Sequence, residues 1–244
     1  MITFSIVTVC YNAQDSIEQT IKSVINQQYL NFEYILIDGN SSDNTLNIIN
    51  KYKDSIDVII SEPDNGIYDA MNKGICLSKG QFVNFLNSGD TFFSSNTLEL
   101  VKDYIKPTTD IISGDFNLVH INKKPKLIKT KKINWKDFRR DFYACHQAIF
   151  IKSSIINFYD LNYKIKADYK WVLDALSKSK EDNVVKIHKP IVNYNGDGFS
   201  SKNTLRNLSE LLRLQKSYFG TFQLLLNLNI YFYRVLRDFK SKFI

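Results

Sequence analysis

The residues of this 244-residue chain that could do chemistry gather at a few points. Thr8, Tyr11 and Asn12 close or follow the apolar run that begins at Phe4, and Asp38 closes the run from Tyr34 to Ile37. Asp64 follows the run 56–60, and Asn87-Ser88-Gly89-Asp90 follow Phe82 to Leu86. Carboxylate oxygen suits a hard cation such as Mg²⁺ or Mn²⁺. It also accepts hydrogen bonds from a nucleotide base or a ribose hydroxyl, and a tyrosine ring can stack on a base. Asp168 stands apart, opening a helix-patterned stretch in Lys166-Ala167-Asp168-Tyr169-Lys170-Trp171. A carboxylate there is either a helix cap or a general base.

These positions gain meaning from the elements that must carry them. Residues 4–9, 34–37, 56–60 and 82–86 read as strands. Helices follow each: Ile17, Ile21, Val24 and Ile25 at helical spacing behind an Asp15/Glu18 capping box, then Leu46 to Tyr52 capped from Ser41-Ser42-Asp43, then 68–77 and 97–105. Alternating strands and helices call for an α/β fold with an open, mainly parallel sheet flanked by helices. In such sheets ligands bind beyond the carboxyl ends of the strands, where these polar residues collect. The second half is more mixed, with strand candidates near Ile111, Gln147 to Ile151 and Val184 to Ile187, and a helix from Asp168 to Leu176. The expected organisation is one catalytic domain over 1–204, divided near residue 105, and an amphipathic helical tail over 205–244.

Three stretches, Ser5 to Asn12, Asp38 to Thr45 and Asn84 to Asp90, resemble the successive signatures of family 2 glycosyltransferases, which have the GT-A fold. Asp64-Asn65-Gly66-Ile67-Tyr68-Asp69-Ala70-Met71-Asn72-Lys73-Gly74 resembles the branch that builds bacterial exopolysaccharide and lipopolysaccharide repeat units. The likeness is specific over about the first hundred residues and looser to Ser201. It implies transfer of a sugar from a nucleotide-diphosphate sugar with inversion at the anomeric carbon, assisted by Mn²⁺ or Mg²⁺. It places Thr8, Tyr11, Asn12, Asp38, Asp64, Lys73, Ser88 and Asp90 around the donor, with Asp90 on the metal. It makes Asp168 the general base, sets His146 in an acceptor pocket, and makes Gly198 and Ser200 part of a lid. Ser88 departs from the family's Asp-any-Asp pattern by standing where its first aspartate would be. Neither Trp135 nor Trp171 lies in the Gln-any-any-Arg-Trp motif of processive members, so one sugar per encounter is expected. Taken alone, Thr8 and Tyr11 would be a strand end and a turn, and His146 a structural histidine.

Composition sets the surroundings. A chain that is 44% hydrophobic and 23% charged is globular rather than disordered. Cys10, Cys76 and Cys145, odd in number and set in apolar runs, read as buried thiols of a reducing compartment. No basic segment precedes the first apolar run, so the expected location is cytoplasmic, peripheral on the inner face of the membrane. The net charge of +7 hides an uneven distribution, with +8 between Asn122 and Arg140, +5 from Leu205 onward, and −6 elsewhere. The first basic stretch suits the diphosphate of a polyprenyl-linked saccharide acceptor or is a solvated loop; no nucleic-acid motif accompanies it. In the tail, Lys216, Gly220, Gln223, Asn227, Arg234 and Asp238 recur as a narrow polar stripe. That suits an interfacial helix at an anionic membrane, or one packed on its own domain or on a second copy as a homodimer. Two other functions use the same features: a nucleotidyltransferase acting on a sugar phosphate, and a catalytically impaired nucleotide-sugar-binding module.

Overall fold

A computed structural model describes residues 2–139, 145–196 and 204–240, with the backbone alone at 204–205 and 228–240. Four strands form its parallel half: β1 (Phe4–Cys10), β2 (Phe32–Asp38), β3 (Val58–Ser61) and β4 (Phe82–Phe85). Helices α1 (Ile17–Ile25), α2 (Thr45–Asn50) and α3 (Ile67–Leu77) connect them. The second half adds β5 (Thr91–Phe92), α4 (Thr97–Asp103), β6 (Ile111–Val119), β7 (Lys126–Ile128), α5 (Trp135–Phe138), β8 (Ile149–Lys152), α6 (Ala167–Lys178), β9 (Val184–Asn195) and α7 (Thr204–Lys240). Strand order is β3-β2-β1-β4-β8-β6-β9-β5, with β7 paired to β6. The β8 strand runs antiparallel to both β4 and β6, while β6 and β9 are parallel. The carboxyl ends of β1, β2, β3, β4, β6 and β9 therefore all reach one rim. Cys10, Asp38 and Ser61 are paired across it in a single row.

Both faces of the sheet are covered, which is why β1 and β2 are unbroken apolar runs. Phe4, Ile6, Tyr34, Leu36 and Phe82 pack on one face with Ile17 and Ile21 of α1, Ile48 and Ile49 of α2, and Leu98 of α4. Val7, Val9, Ile35, Ile37 and Phe85 pack on the other with Met71 of α3, and with Trp171 and Val172 of α6. Gly74 lets α3 sit hard on β1, since a Cβ there would come within 2.4 Å of Val7.

Several expectations need correction. The Asp15/Glu18 capping box is not formed: α1 begins after Ser16 without a side-chain cap. The Ser16 hydroxyl is instead 3.0 Å from that of Ser88, and Glu18 accepts from the Tyr52 hydroxyl. Cys76 is exposed on α3, whereas Cys10 is buried. Strand β9 continues to Asn195, well beyond Ile187, because it pairs along the whole of β6. In the tail, the first part of the helix packs on its own domain, one of the alternatives open from the sequence. Leu211 and Leu214 of α7 belong to the main core, and Glu210, Gln215 and Asn227 point inward. Asn227, expected on the polar stripe, donates to the Arg139 carbonyl. The helix breaks at Gly220 (φ 80°, ψ 170°), and only beyond that point are Phe222, Leu225 and Leu226 exposed.

Candidate functional site

One end of the rim is built by the loops after β1, β2 and β3. Tyr11 is 65% exposed and lies over Gly39, where a Cβ would come within 3.4 Å of its ring and 2.5 Å of Asp64 Oδ2. Only glycine leaves that space open. Asp64 is fixed by the Gly66 N–H on its Oδ1, 2.7 Å away. Its loop is stapled by the Lys73 ammonium, which reaches Glu62 at 2.8 Å and the Pro63 carbonyl at 2.9 Å. Asn12 (φ 46°) accepts from the Ser42 N–H through its Oδ1, locking the first two loops together. An exposed ring beside a carboxylate is suited to a planar base and its ring N–H groups.

Two expected ligand contacts lie below this surface. Asp38 is fully buried, and its carboxylate accepts from the Ser41 N–H (3.0 Å), the Ser41 hydroxyl and the Ser61 hydroxyl (2.7 Å). Thr8 is also fully buried, donating to the Leu86 carbonyl and accepting from the Tyr34 hydroxyl. These residues shape the loops, and Lys73 is committed to its own loop. Tyr11, Asn12 and Asp64 remain at the surface.

The middle of the rim is the turn after β4. The Asp90 N–H donates to the Asn87 carbonyl, and Gly89 takes a positive φ of 96°. Thr20 of α1 clamps the turn, accepting from the Gly89 N–H and donating to the Asp90 carbonyl. The Asp90 side chain is 3% exposed, and its Oδ1 accepts from the Asn195 N–H at the end of β9, 2.8 Å away. Burial pushes its pKa up to about 7, with the Asn195 N–H, the field of His146 and the Gln147 side chain opposing the rise.

The far wall is α6. Asp168, its second residue, keeps 21% of its side chain exposed. Its Oδ1 accepts from the Tyr169 N–H at 2.8 Å, and its Oδ2 lies 3.2 Å from His146 Nδ1. Burial works against its ionisation. The His146 hydrogen bond, the fields of His146 and Lys166, and the Tyr169 N–H outweigh that and hold it below the usual carboxylate range. His146 Nε2 lies 3.5 Å from the Asn87 amide nitrogen, so both ring nitrogens are occupied within the protein. The Cys145 thiol, on a half-buried residue, is pushed up by desolvation and then by the charges of both Asp90 and Asp168, so one group senses both. The structure thus brings Asp90, His146 and Asp168 together. Gly198 and Ser200 lie outside the described residues.

Some contributors are hard to see in the sequence. Ser41 and Ser61 satisfy Asp38, the Asn195 N–H holds Asp90, and Asn87 meets His146. Asn87 and Gly39 were signalled only by their places directly beside a strand-end carboxylate or its turn.

A sheet of this order, with its polar rim at the strand ends, defines the GT-A class of nucleotide-sugar transferases. Residues 1–349 of S. aureus TarS, solved in complex with UDP, superpose with a TM-score of 0.70 at 18% identity. The match covers 88% of this chain but only 65% of that longer one. The chain belongs to glycosyl transferase family 2, whose family model matches residues 5–159. It is 29% identical over 231 residues to a PGL/p-HBAD biosynthesis glycosyltransferase of Mycobacterium bovis (strain BCG / Pasteur 1173P2), covering 88% of this chain and 84% of the relative. It is also 25% identical over 186 residues to WfgD of Escherichia coli, named as a UDP-Glc:alpha-D-GlcNAc-diphosphoundecaprenol beta-1,3-glucosyltransferase, covering 75% and 72% of the two chains.

Proposed function

We propose that this glycosyltransferase moves one sugar per encounter, with inversion, from a nucleoside-diphosphate sugar to a saccharide carried on a polyprenyl diphosphate. The observation that carries this reading is that His146 joins the two halves of the chain, with Asp168 3.2 Å from one ring nitrogen and Asn87, three residues before Asp90, 3.5 Å from the other. In a single displacement the acceptor oxygen forms its bond to the anomeric carbon as the bond from that carbon to the diphosphate breaks. The hydroxyl proton passes to an Asp168 carboxylate oxygen, and the nucleoside diphosphate leaves with the bonding electron pair. A carboxylate held below its usual range is ionised at neutral pH and ready to accept that proton. Tyr11 and Asp64 hold the base of the donor. Asp38 keeps their loops in place from beneath.

Asp90 fits a divalent ion. It is a buried carboxylate whose charge is only partly compensated, and Mg²⁺ or Mn²⁺ commonly takes one or two protein carboxylates with the remaining ligands from phosphate and water. When bound, the ion would neutralise charge on the departing diphosphate.

Attachment to the inner face of the membrane would bring the enzyme to such an acceptor. The exposed apolar residues of α7 beyond Gly220 lie next to the basic segment around α5, where Trp135 packs on Phe219 and Asn227 holds the Arg139 carbonyl. Among the described residues no helix is long and apolar enough to cross a membrane.

Turnover of UDP-glucose with a GlcNAc-diphosphate lipid, following release of UDP, tests the reading. Asp168→Asn should keep donor binding and lower turnover by at least about 10²-fold. Near-normal turnover would remove Asp168 as the base, and release of pyrophosphate in place of UDP would reject the reaction.

A further inference from the structure

We propose that His146 is a positioning residue, holding the Asp168 carboxylate in register with the donor-side turn through a hydrogen kept on its Nδ1. The proposal rests on Asp168 being the base and goes beyond it.

The ring is enclosed, with 13% of the side chain exposed, and each nitrogen has one partner. Nδ1 lies 3.2 Å from Asp168 Oδ2 and Nε2 lies 3.5 Å from the Asn87 amide nitrogen. An amide NH₂ only donates, so Nε2 must then carry a lone pair and Nδ1 the hydrogen. Asn87 Oδ1 is buried without a hydrogen-bond partner, which raises the opposite amide orientation, with oxygen toward Nε2. That orientation demands a hydrogen on Nε2. Facing a carboxylate, Nδ1 must keep its own hydrogen as well, and the ring is then doubly protonated. Both amide orientations put a hydrogen on Nδ1 aimed at Asp168. The excluded form is the neutral ring protonated on Nε2, which would set a lone pair against the carboxylate.

The ring is mounted on the sheet, independently of α6. It stands in the 3-10 turn His146–Ala148 that leads into β8. Asn84 of β4 donates to the Gln147 and Ile149 carbonyls, at 2.8 Å each, and fixes that turn. Asn87 lies three residues before Asp90. The chain of contacts from Asp168 through His146 to Asn87 therefore spans from the acceptor-side helix to the turn proposed to hold the donor. Without it, the Asp168 carboxylate torsion, which is intrinsically broad, would be restrained only at Oδ1, by the Tyr169 N–H at 2.8 Å and the Tyr68 hydroxyl at 3.5 Å, leaving Oδ2 unheld. A misplacement of about 1 Å at a reacting group can cost about 10²-fold in rate. With both nitrogens engaged, His146 has none left to donate to or accept from an acceptor hydroxyl.

Two measurements on the full chain test this. In the ¹⁵N-histidine-labelled protein, which has three histidines, the His146 ring is identified as the signal lost in His146→Gln. It should show a hydrogen on Nδ1, either as the neutral Nδ1–H tautomer or as the doubly protonated ring. A neutral Nε2–H ring would overturn the proposal, with no substrate involved. In turnover of UDP-glucose with GlcNAc-α-diphosphoundecaprenol, His146→Ala should lower kcat about 10- to 100-fold and leave the donor KM within about threefold. His146→Asn sets an amide N–H close to where Nδ1 stood and should recover most of the loss. An asparagine variant as slow as the alanine variant, both melting like wild type, would overturn it. So would a raised acceptor KM at unchanged kcat, which is the signature of direct acceptor contact. Normal turnover by Asp168→Asn would instead remove the base, a failure that leaves the tautomer result standing.

Discussion

Burial of Asp90 makes the stability of the ion-free protein depend on pH in a direction opposite to that of a salt-bridged carboxylate. Its folded pKa, about 7, lies above the ordinary 3.8, so the folded state binds more protons than the unfolded state between those values. Stability from this group is fully present below about pH 4 and is lost as pH rises through about 7. Asp90→Asn removes the penalty while keeping an acceptor for the Asn195 N–H. At pH 8 without divalent ions the variant should therefore be more stable than wild type, by a margin on the order of 2–4 kcal/mol that closes on acidification. Urea denaturation at pH 5 and pH 8 measures it, and equal margins at the two values would reject the account. At this scale the sequence marks chemical type and strand ends, which sufficed to nominate Asp90 and Asp168. It does not mark depth. Thr8 and Asp38 sit at the same rim as Tyr11 and Asp64 but are fully buried, because alternation along β1 turns Thr8 into the α1 side and two serines close over Asp38.

Elements come out of the sequence to within a few residues where one periodicity dominates. The expected helices 68–77 and 168–176 are observed as Ile67–Leu77 and Ala167–Lys178. Near residue 204 periodicity alone is silent on packing, because three polar residues of α7, Glu210, Gln215 and Asn227, are buried docking groups. Glu210 is the clearest of these: it accepts the N–H groups of Lys164, Ile165 and Lys166 at 2.9–3.0 Å, just ahead of α6. Burial would raise its pKa, but those three N–H groups and Arg206 hold it below its usual value. A depressed carboxylate contributes stability present above its unfolded pKa and lost as pH falls through the folded one. Glu210→Gln should cost about 1–3 kcal/mol at pH 7, shrinking toward zero in acid. It should also slow turnover, since the loop it holds sets the start of α6 and hence Asp168. Unchanged urea midpoints at pH 7 would show that α7 is held by its leucines alone. A second buried link, the Lys186–Asp115 pair at 2.6 Å with Thr130 on the same ammonium, joins β6, β9 and the segment after β7. Asp115→Asn leaves that ammonium uncompensated and should destabilise by about 3–5 kcal/mol, read from the same denaturation curves.

Across the whole molecule, the uneven charge that the sequence displays as two separate basic stretches becomes a local feature. Asn227 and the Arg139 carbonyl, 88 residues apart in the chain, are hydrogen-bonded. The first basic stretch therefore meets α7 where the helix stops packing on the core and begins to expose Phe222, Leu225 and Leu226 at 76%, 58% and 57%. The same segment leads to α6, because the Phe138 carbonyl accepts from the hydroxyl of Tyr169, the residue after Asp168. A bilayer meeting this face would hold α6, the wall proposed to face the acceptor, near the headgroups, with basic residues each favouring an anionic leaflet by about 1 kcal/mol near the surface. Removing all of α7 is a poor test, since Leu211 and Leu214 would leave the core with it. Replacing Phe222, Leu225 and Leu226 together by serine spares the core and should leave the urea midpoint within about 0.5 kcal/mol of wild type. Co-sedimentation with phosphatidylglycerol-containing vesicles should then fall at least about tenfold, given about 25 cal/mol lost per Å² of apolar surface no longer buried in the bilayer. Binding by the unaltered chain should also weaken as salt is raised. Vesicle binding unchanged by the triple substitution would separate this face from the membrane. A drop in sedimented mass in the absence of lipid would instead assign it to a second copy of the chain.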